Sequence, residues 1–364
     1  MKLLFPLIIL SLLFISCESE NGVTSASNIE NNAVVSGTLP KANGIPGRLL
    51  IAVEDNIWSG EMESVFKKHF SKMAEGPFIG EEPIFDYLQQ DPSLINRLGK
   101  KNRNFMRIFL DQEKTYEETE IVIKKNHISD GQLYMVVKDS DKDRLNSFFD
   151  NELPTYIALF EDQENERLVN QYTNRRNFAF DKRAKEAFGI SIGIPTSAQF
   201  EADLDTVIYA LDKKSKELGD NPSTGAKGGI YWAKKGIIIW ESKYVDEESM
   251  SPASLLQERD STLKRVVKGT KEGSYMATEY YPTRQPVFTQ ISVDGANALQ
   301  IEGLWIHGGN SGASGGGPFI QYSIQHPTRQ TIVHATTYIY ALNFAKRELY
   351  REAEAMLKTI KIVE

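Results

Sequence analysis

The chain has one cysteine, five histidines and one long apolar run among 364 residues. With Cys17 alone, no intramolecular disulfide can form, so the fold must be held by its core. The histidines at 69, 127, 307, 326 and 334 form no His-Glu-x-x-His pair, and no Gly-x-x-x-x-Gly-Lys-Ser/Thr phosphate loop occurs. Basic charge is also short: 42 Lys and Arg against 49 Asp and Glu leave a net charge of −7. That balance argues against a nucleic-acid partner, which wants a basic face. Beyond Ile15 no stretch approaches the roughly 20 apolar residues of a spanning helix.

The composition is that of a globular protein, with 41% hydrophobic and 25% charged residues. The length suits one large or two ordinary domains. The apolar run is at the very start: Met1-Lys2, then Leu3 to Ile15, interrupted by Pro6 and ending Phe14-Ile15-Ser16-Cys17. A short basic opening and about a dozen apolar residues have the proportions of a secretory signal. A small residue before the lone cysteine, after two apolar residues, resembles the lipobox of bacterial lipoproteins, with Phe14 where Leu is commonest. The resemblance implies a diacylglycerol thioether on Cys17, cleavage before it, and attachment to the membrane by acyl chains. The lone thiol thereby acquires a use. Residues 1–16 are read as signal peptide and 17–44, rich in Ser, Asn, Gly, Glu and Thr, as a flexible tether reaching roughly 26–31 Å. The acidic start Cys17-Glu18-Ser19-Glu20-Asn21 resembles the surface-export signal of Bacteroidota lipoproteins. The expected address is the outer membrane, on its periplasmic face or at the cell surface.

The rest divides into an N-terminal α+β domain over 45–180 and a C-terminal one over 181–364, two halves that look loosely alike. Arg48 to Val53 reads as a strand, and Met62, Val65, Phe66 and Phe70 mark one face of a helix. Asp86 to Gly99 is given a short helix around Pro92. Strands are expected at Phe105–Leu110, Tyr116–Lys125 and Gln132–Lys138, the last two joined across Asp130-Gly131. A helix near Asp143 and a polar helical stretch over Glu161–Tyr172 follow, then a charged connection from Asn174 to Lys185. Alternating Ile190, Ile192 and Ile194 suggest a strand, and Ile230–Ala233 with Ile237–Trp240 a strand pair around Lys234-Lys235-Gly236. Ser251-Pro252 opens a helix with Leu255, Arg259 and Leu263 inward. Strands at Leu299–Ile306, Phe319–Gln325 and Thr331–Ala341 precede a last helix capped by Asn343, with Leu349, Ala353, Met356, Leu357 and Ile360 as its stripe. Antiparallel β-sheets with helices packed on one face give an α+β fold. The lipobox, the strand over Leu49–Val53 and the stretch from Ile301 through Ile362 resemble an exported Bacteroidota lipoprotein family known only as a domain of unknown function, which brings no assigned activity.

Three segments invite a chemical reading. Gly308 to Pro318 places Ser311 and Ser314 among glycines, but strands flank it on both sides, so it reads as a hairpin loop rather than a nucleophile elbow. Asp139, Asp141, Asp143 and Asp150 imitate a calcium loop whose sixth position is Arg144, where the turn needs Gly; they read as a helix start. Zinc would need three or four ligands in tetrahedral order, and strand pairing does not obviously bring the histidines together. No metal or other cofactor is expected. On the last strand, His334, Thr336, Tyr338 and Tyr340 share a face by period 2, and Trp305 and Tyr322 lie on strands expected to pair with it. Facing outward, this set is an aromatic platform for a glycan or peptide; facing inward, it is core. Val333, Ala335, Thr337, Ile339 and Ala341 form the smoother face for a helix. The expected function is a non-enzymatic binding or assembly factor with a glycan, peptide or envelope-protein partner. Rivals are a hydrolase acting on envelope or polysaccharide substrates, with carboxylates paired only in space, and a purely structural partner in a complex.

Overall fold

The computed structural model describes residues 29–31, 39–77, 80, 82–220, 227–309, 315–342 and 344–363. Cys17 and the expected signal peptide, Asn343, and residues 310–314 of the glycine-rich loop lie outside the described residues. The architecture is α+β, with two large sheets.

The N-terminal sheet uses β1 (Ile29–Asn31), β2 (Arg48–Ala52), β3 (Asp86–Gln90), β4 (Asn104–Leu110), β5 (Glu120–Lys125) and β6 (Leu133–Asp139) in the order β1-β5-β6-β4-β2-β3. Its pairing departs from the antiparallel expectation. β2 runs parallel to both β3 and β4, β4 parallel to β6, and β1 parallel to β5, while only β5–β6 is antiparallel. Parallel neighbours need a crossover, which α1 (Asp55–Trp58) and α2 (Glu61–Phe70) supply between β2 and β3. Periodicity identifies a strand but not its direction. The segment expected to hold a helix around Pro92 is strand β3 followed by a 3-10 turn, Pro92–Leu94. Parts of the expected tether are also held. β1 lies on the sheet edge, and Ala42 N donates to Asp130 O at 2.9 Å.

Helix α3 (Lys142–Asn174) covers this sheet with α1 and α2. It joins the two helical stretches read separately in the sequence into one helix of 33 residues with Pro154 inside. Leu49, Ile51, Phe66, Met106, Met135, Phe149 and Phe160 form the core between them. Asp141 caps α3 through the amides of Asp143 (2.8 Å) and Arg144 (3.0 Å).

The charged connection expected from Asn174 to Lys185 is mostly helix α4 (Phe178–Phe188), capped by Asn177 at 3.1 Å and closed by left-handed Gly189. Its Phe180, Ala184 and Phe188 are buried in the C-terminal core. β7 (Ile190–Ser191) keeps only two residues of the expected Ile strand in ladder pairing, with β16 (Lys361–Ile362). The remaining strands are β8 (Gln199–Leu204), β9 (Val207–Leu218), β10 (Gly229–Lys243), β11 (Tyr275–Thr278), β12 (Val287–Val293), β13 (Ala296–Gly308), β14 (Gly316–Gln325) and β15 (Thr331–Ala341). They form an antiparallel curled sheet in the order β11-β13-β14-β15-β10-β9-β8, with β12 on β13. β10 is one strand of 15 residues, not a pair. Its Gly236 is a crossing point, where a Cβ would collide with the ring of Tyr338.

Both faces of the middle of this sheet are buried. α6 (Arg347–Lys358) packs Met356 and Leu357 against Val333, Ala335, Ile339 and Ala341, the face expected to take a helix. α5 (Pro252–Val266), with Ser251 as cap and Pro252 in the first turn, covers the concave face through Leu255 and Leu263. The halves share the plan of a sheet with helices but not the strand order. They meet along α3 and α6. Glu82 accepts from the amides of Lys346 (2.7 Å) and Arg347 (2.7 Å) at the start of α6, and Arg351 reaches Glu161 of α3 at 3.0 Å.

Candidate functional site

The aromatic set does not form a platform. Trp305, His334 and Tyr338 are buried on the concave face, Tyr340 is half-buried at its end, and Tyr322 lies on the opposite face among the residues beneath α6. Period 2 assigns the shared face of the last strand correctly, but it cannot show that the sheet curls and that α5 closes over it. The indole of Trp305 donates to Ile339 O at 3.0 Å, and a Cβ at Gly317 would collide with that carbonyl and crowd the indole nitrogen. The Tyr209 and Tyr338 hydroxyls bond at 2.6 Å. His334 stacks on Trp240 with ring centres 4.8 Å apart and bonds Ser242 (2.9 Å) and Ser323 (3.0 Å). Complete burial drives its pKa down to about 3, so this ring is neutral.

The other histidines are dispersed. His69 pairs with Asp150, His127 packs on Tyr134, His307 on Trp305, and His326 bonds Gly189 O. Among the described residues, no group of three or more His, Cys, Asp or Glu is placed to hold a metal ion. Asp139 is engaged by Arg144 and Thr119, and Asp150 by Lys68.

Charge gathers instead where the sequence reading did not look. A groove of about 860 Å³ opens at the amino ends of β4 and β6. The C-terminal half of α3 forms one wall; the β5–β6 turn and Lys41-Ala42 form another. Beneath it, Glu164 is fully buried and shared by two guanidiniums: Arg167 Nη1 at 2.9 Å and Arg103 Nη2 at 2.9 Å. Asn104 Nδ2 donates to the same carboxylate at 2.7 Å. Arg167 is locked further by donating to Gly131 O (2.8 Å), Asn104 Oδ1 (2.8 Å) and Arg103 O (2.9 Å). Burial lowers its pKa to about 10 against the pull of Glu164, which still leaves it charged at neutral pH.

Five cations line or underlie this groove: Lys41, Arg103, Lys125, Arg167 and Arg175. They meet three carboxylates: Asp130, Glu166 and buried Glu164. Lys41 pairs with Asp130 and Lys125 with Glu166, while Arg175 is exposed and makes no ion pair among the described residues. Asn126, Gln163, Asn170, Gln171 and Asn174 add amides that can both donate and accept. Rigid guanidiniums with surplus positive charge, ringed by amides, suit carboxylate, phosphate or hydroxyl groups. Glu164 and Arg167 sit three residues apart in the stretch read as a polar helix. Their spacing was visible, but their burial was not.

A second charged network is closed. Lys235, almost fully buried on β10, meets Asp212 at 3.3 Å and Glu352 of α6, and exposed Ser197 donates to Asp212 at 2.6 Å. Tyr172 at the end of α3 lies beside it, its hydroxyl pushed up by burial and then by Glu352 and Asp212.

Residues 177–359 match the family described as Domain of unknown function (DUF4837), and the chain belongs to that family. Residues 42–173 match a second one, Domain of unknown function (DUF8532). No curated protein matches the chain. Among solved structures it is similar to the Saccharomyces cerevisiae Ran-binding protein Mog1p, at 13% identity over 48% of this chain and 91% of that one, with a TM-score of 0.28. A mutant of the protein Mog1 gives 13% identity, 48% and 92% coverage, and a TM-score of 0.27. Likeness at that level carries no argument about function. Among the described residues no helix is long and apolar enough to cross a membrane.

Proposed function

We propose that this member of the DUF4837 family is a non-enzymatic binding or assembly factor of the bacterial envelope, held at the outer membrane by lipid on Cys17, that takes an anionic polar chain in the groove beside α3. One observation carries the ligand class: two guanidiniums share the single buried carboxylate of Glu164, so positive charge is left facing an open groove of about 860 Å³. The lipobox-like Phe14-Ile15-Ser16-Cys17 supports the anchor, and a Bacteroidota origin fits the acidic residues after it. Two or three acyl chains suffice for stable attachment where one is marginal.

The address is tested by metabolic labelling with a palmitate analogue. Label is expected on the natural protein and absent from Cys17→Ala; equal label on both would end the lipoprotein reading. The ligand class is tested by calorimetry with uronate-bearing oligosaccharides against neutral glucose oligomers. Binding only to the acidic series, weakening with salt, is expected. Equal affinity for both would remove the electrostatic basis.

A hydrolase acting on envelope polysaccharide remains the rival because a cleft of about 380 Å³ between the halves is lined by both Glu75 and Glu302. Glu302 already accepts from the Tyr350 hydroxyl, which favours a structural use. Reducing-sugar release that disappears in Glu75→Gln would reverse that preference.

A further inference from the structure

The antiparallel pair β9–β10 outruns its sheet. β8 pairs with β9 only as far as Leu211, and β15 pairs with β10 only back to Ala233. Among the described residues Gly229–Trp232 and Ser215–Leu218 therefore pair only with each other, a ribbon extending about 14 Å at 3.4 Å per residue. Ile230 and Trp232, two residues apart and so on one face, are 70% and 50% exposed. Lys234 continues that face with its ammonium 5.6 Å from the ring centre of Tyr340, and Leu342, 59% exposed, follows at the end of β15. The other face carries Tyr231 opposite Lys216.

The same end of the sheet is basic beyond the ribbon. Tyr275 pairs with Gly308, three residues past Trp305, at the same end of the sheet as the ribbon: Trp305 pairs with Gly317 on β14, and Tyr340 of β15 with Lys234. Around Tyr275 stand Lys264, Lys268 and Lys271. The chain as a whole carries −7, yet at this end Lys216, Lys234, Lys264, Lys268 and Lys271 outnumber Glu217, opposite Ile230, and Glu272 beside Lys271, a local reversal of sign.

We infer that this end of the C-terminal sheet is a docking surface for an anionic phospholipid membrane, with Ile230 and Trp232 entering the interface and Lys216, Lys234 and the lysines around Tyr275 meeting the headgroups. Apolar and aromatic side chains at the water–lipid boundary, flanked by Lys, are the pattern that interfacial binding requires, and lysines add attraction to an anionic leaflet. Charge complementarity selects the membrane over an acidic soluble partner because the apolar residues stand on a narrow projecting ribbon, not on a broad patch. The inference rests on the membrane address proposed above, and the two can fail separately.

Trp232 provides the readout, since Trp58, Trp240 and Trp305 are buried. The full chain is mixed with excess vesicles of phosphatidylglycerol and phosphatidylethanolamine carrying brominated acyl chains, and quenching of tryptophan emission is followed. Quenching at least threefold above that in brominated phosphatidylcholine is expected, absent in Trp232→Phe and reduced about tenfold in Lys216→Glu/Lys234→Glu. Lys216 is exposed and Lys234 half-buried, and unchanged circular dichroism checks that this variant folds. Equal quenching in both lipids, quenching indifferent to the lysine pair, or no quenching at all would overturn the proposal. So would protection of Trp232 from acrylamide by a soluble envelope protein and not by vesicles. If the anchor reading alone is wrong, Cys17→Ala leaves vesicle sedimentation unchanged while Trp232 quenching persists.

Discussion

Two buried carboxylates, one in each half, are treated in opposite ways. Glu164 lies under a groove, and the guanidiniums that satisfy it, Arg103 and Arg167, also face solvent. Asp212 lies under α6, and its cation, Lys235, is sealed in with it. In the first case two cations for one anion leave positive charge that a ligand can meet. In the second the one buried cation serves two carboxylates, Asp212 and Glu352 of α6, with Tyr172 from α3 beside them, so no positive charge is left for a ligand. A buried ion pair is thus not in itself a site; what matters is whether surplus charge reaches an opening. Desolvation makes the sealed pair costly and the cost falls on whichever partner is left alone.

The sharpest way to break the contrast is Lys235→Met, which strands Asp212 without its cation. A loss of about 3–5 kcal/mol in urea unfolding is expected, mostly recovered by adding Asp212→Asn. No recovery in the double variant would mean that Lys235 acts by packing rather than charge. Next comes acid. His334 has a folded-state pKa near 3, below the ~6.5 of an unfolded histidine. The buried neutral ring therefore contributes its full share above pH 6.5, and that share is lost as pH falls towards 3, because the unfolded chain takes up the proton first. Between pH 7 and pH 5 this amounts to about 2 kcal/mol. Comparing stability at the two pH values should give a smaller difference in His334→Gln than in the natural protein.

The junction of the halves is the third place to press. Glu82→Ala removes the carboxylate that accepts the first amides of α6 and should cost about 1–2 kcal/mol, read as a lower Tm. Smallest in stability, and most informative for function, is Arg175→Glu. It should change stability by less than about 0.5 kcal/mol while weakening binding of an acidic oligosaccharide at least tenfold by calorimetry. Unchanged binding would separate the groove from the ligand.

Much of the scaffold was legible. The stripe of Met62, Val65, Phe66 and Phe70, the Ser251-Pro252 start of α5 and the three long strands β13–β15 follow from side-chain periodicity and capping chemistry, which are local. Helix α4 was missed because Asp181, Lys182, Arg183 and Lys185 hide a short apolar stripe of Phe180, Ala184 and Phe188. The two-strand reading of β10 failed because Lys234-Lys235-Gly236 looks like a turn, whereas Lys235 is buried against Asp212 and Gly236 makes room for Tyr338. The start of α6 has its amides met by Glu82, distant in sequence, which no local cap signal could reveal. The groove escaped notice for the same reason: Arg103, just before β4, is distant in sequence from Glu164 and Arg167 on α3.

By itself the sequence determined the class of the fold, the faces of its longest strands and helices, and the apolar run over residues 3–15, because each is written in residues close together along the chain. Only the tertiary structure decided which strands run parallel, that the aromatic face of the last strand is enclosed, and where charge remains uncompensated. Those outcomes depend on desolvation and on partners brought together from more than fifty residues apart, as Asn104 and Glu164 are, and burial is a property of the assembled whole.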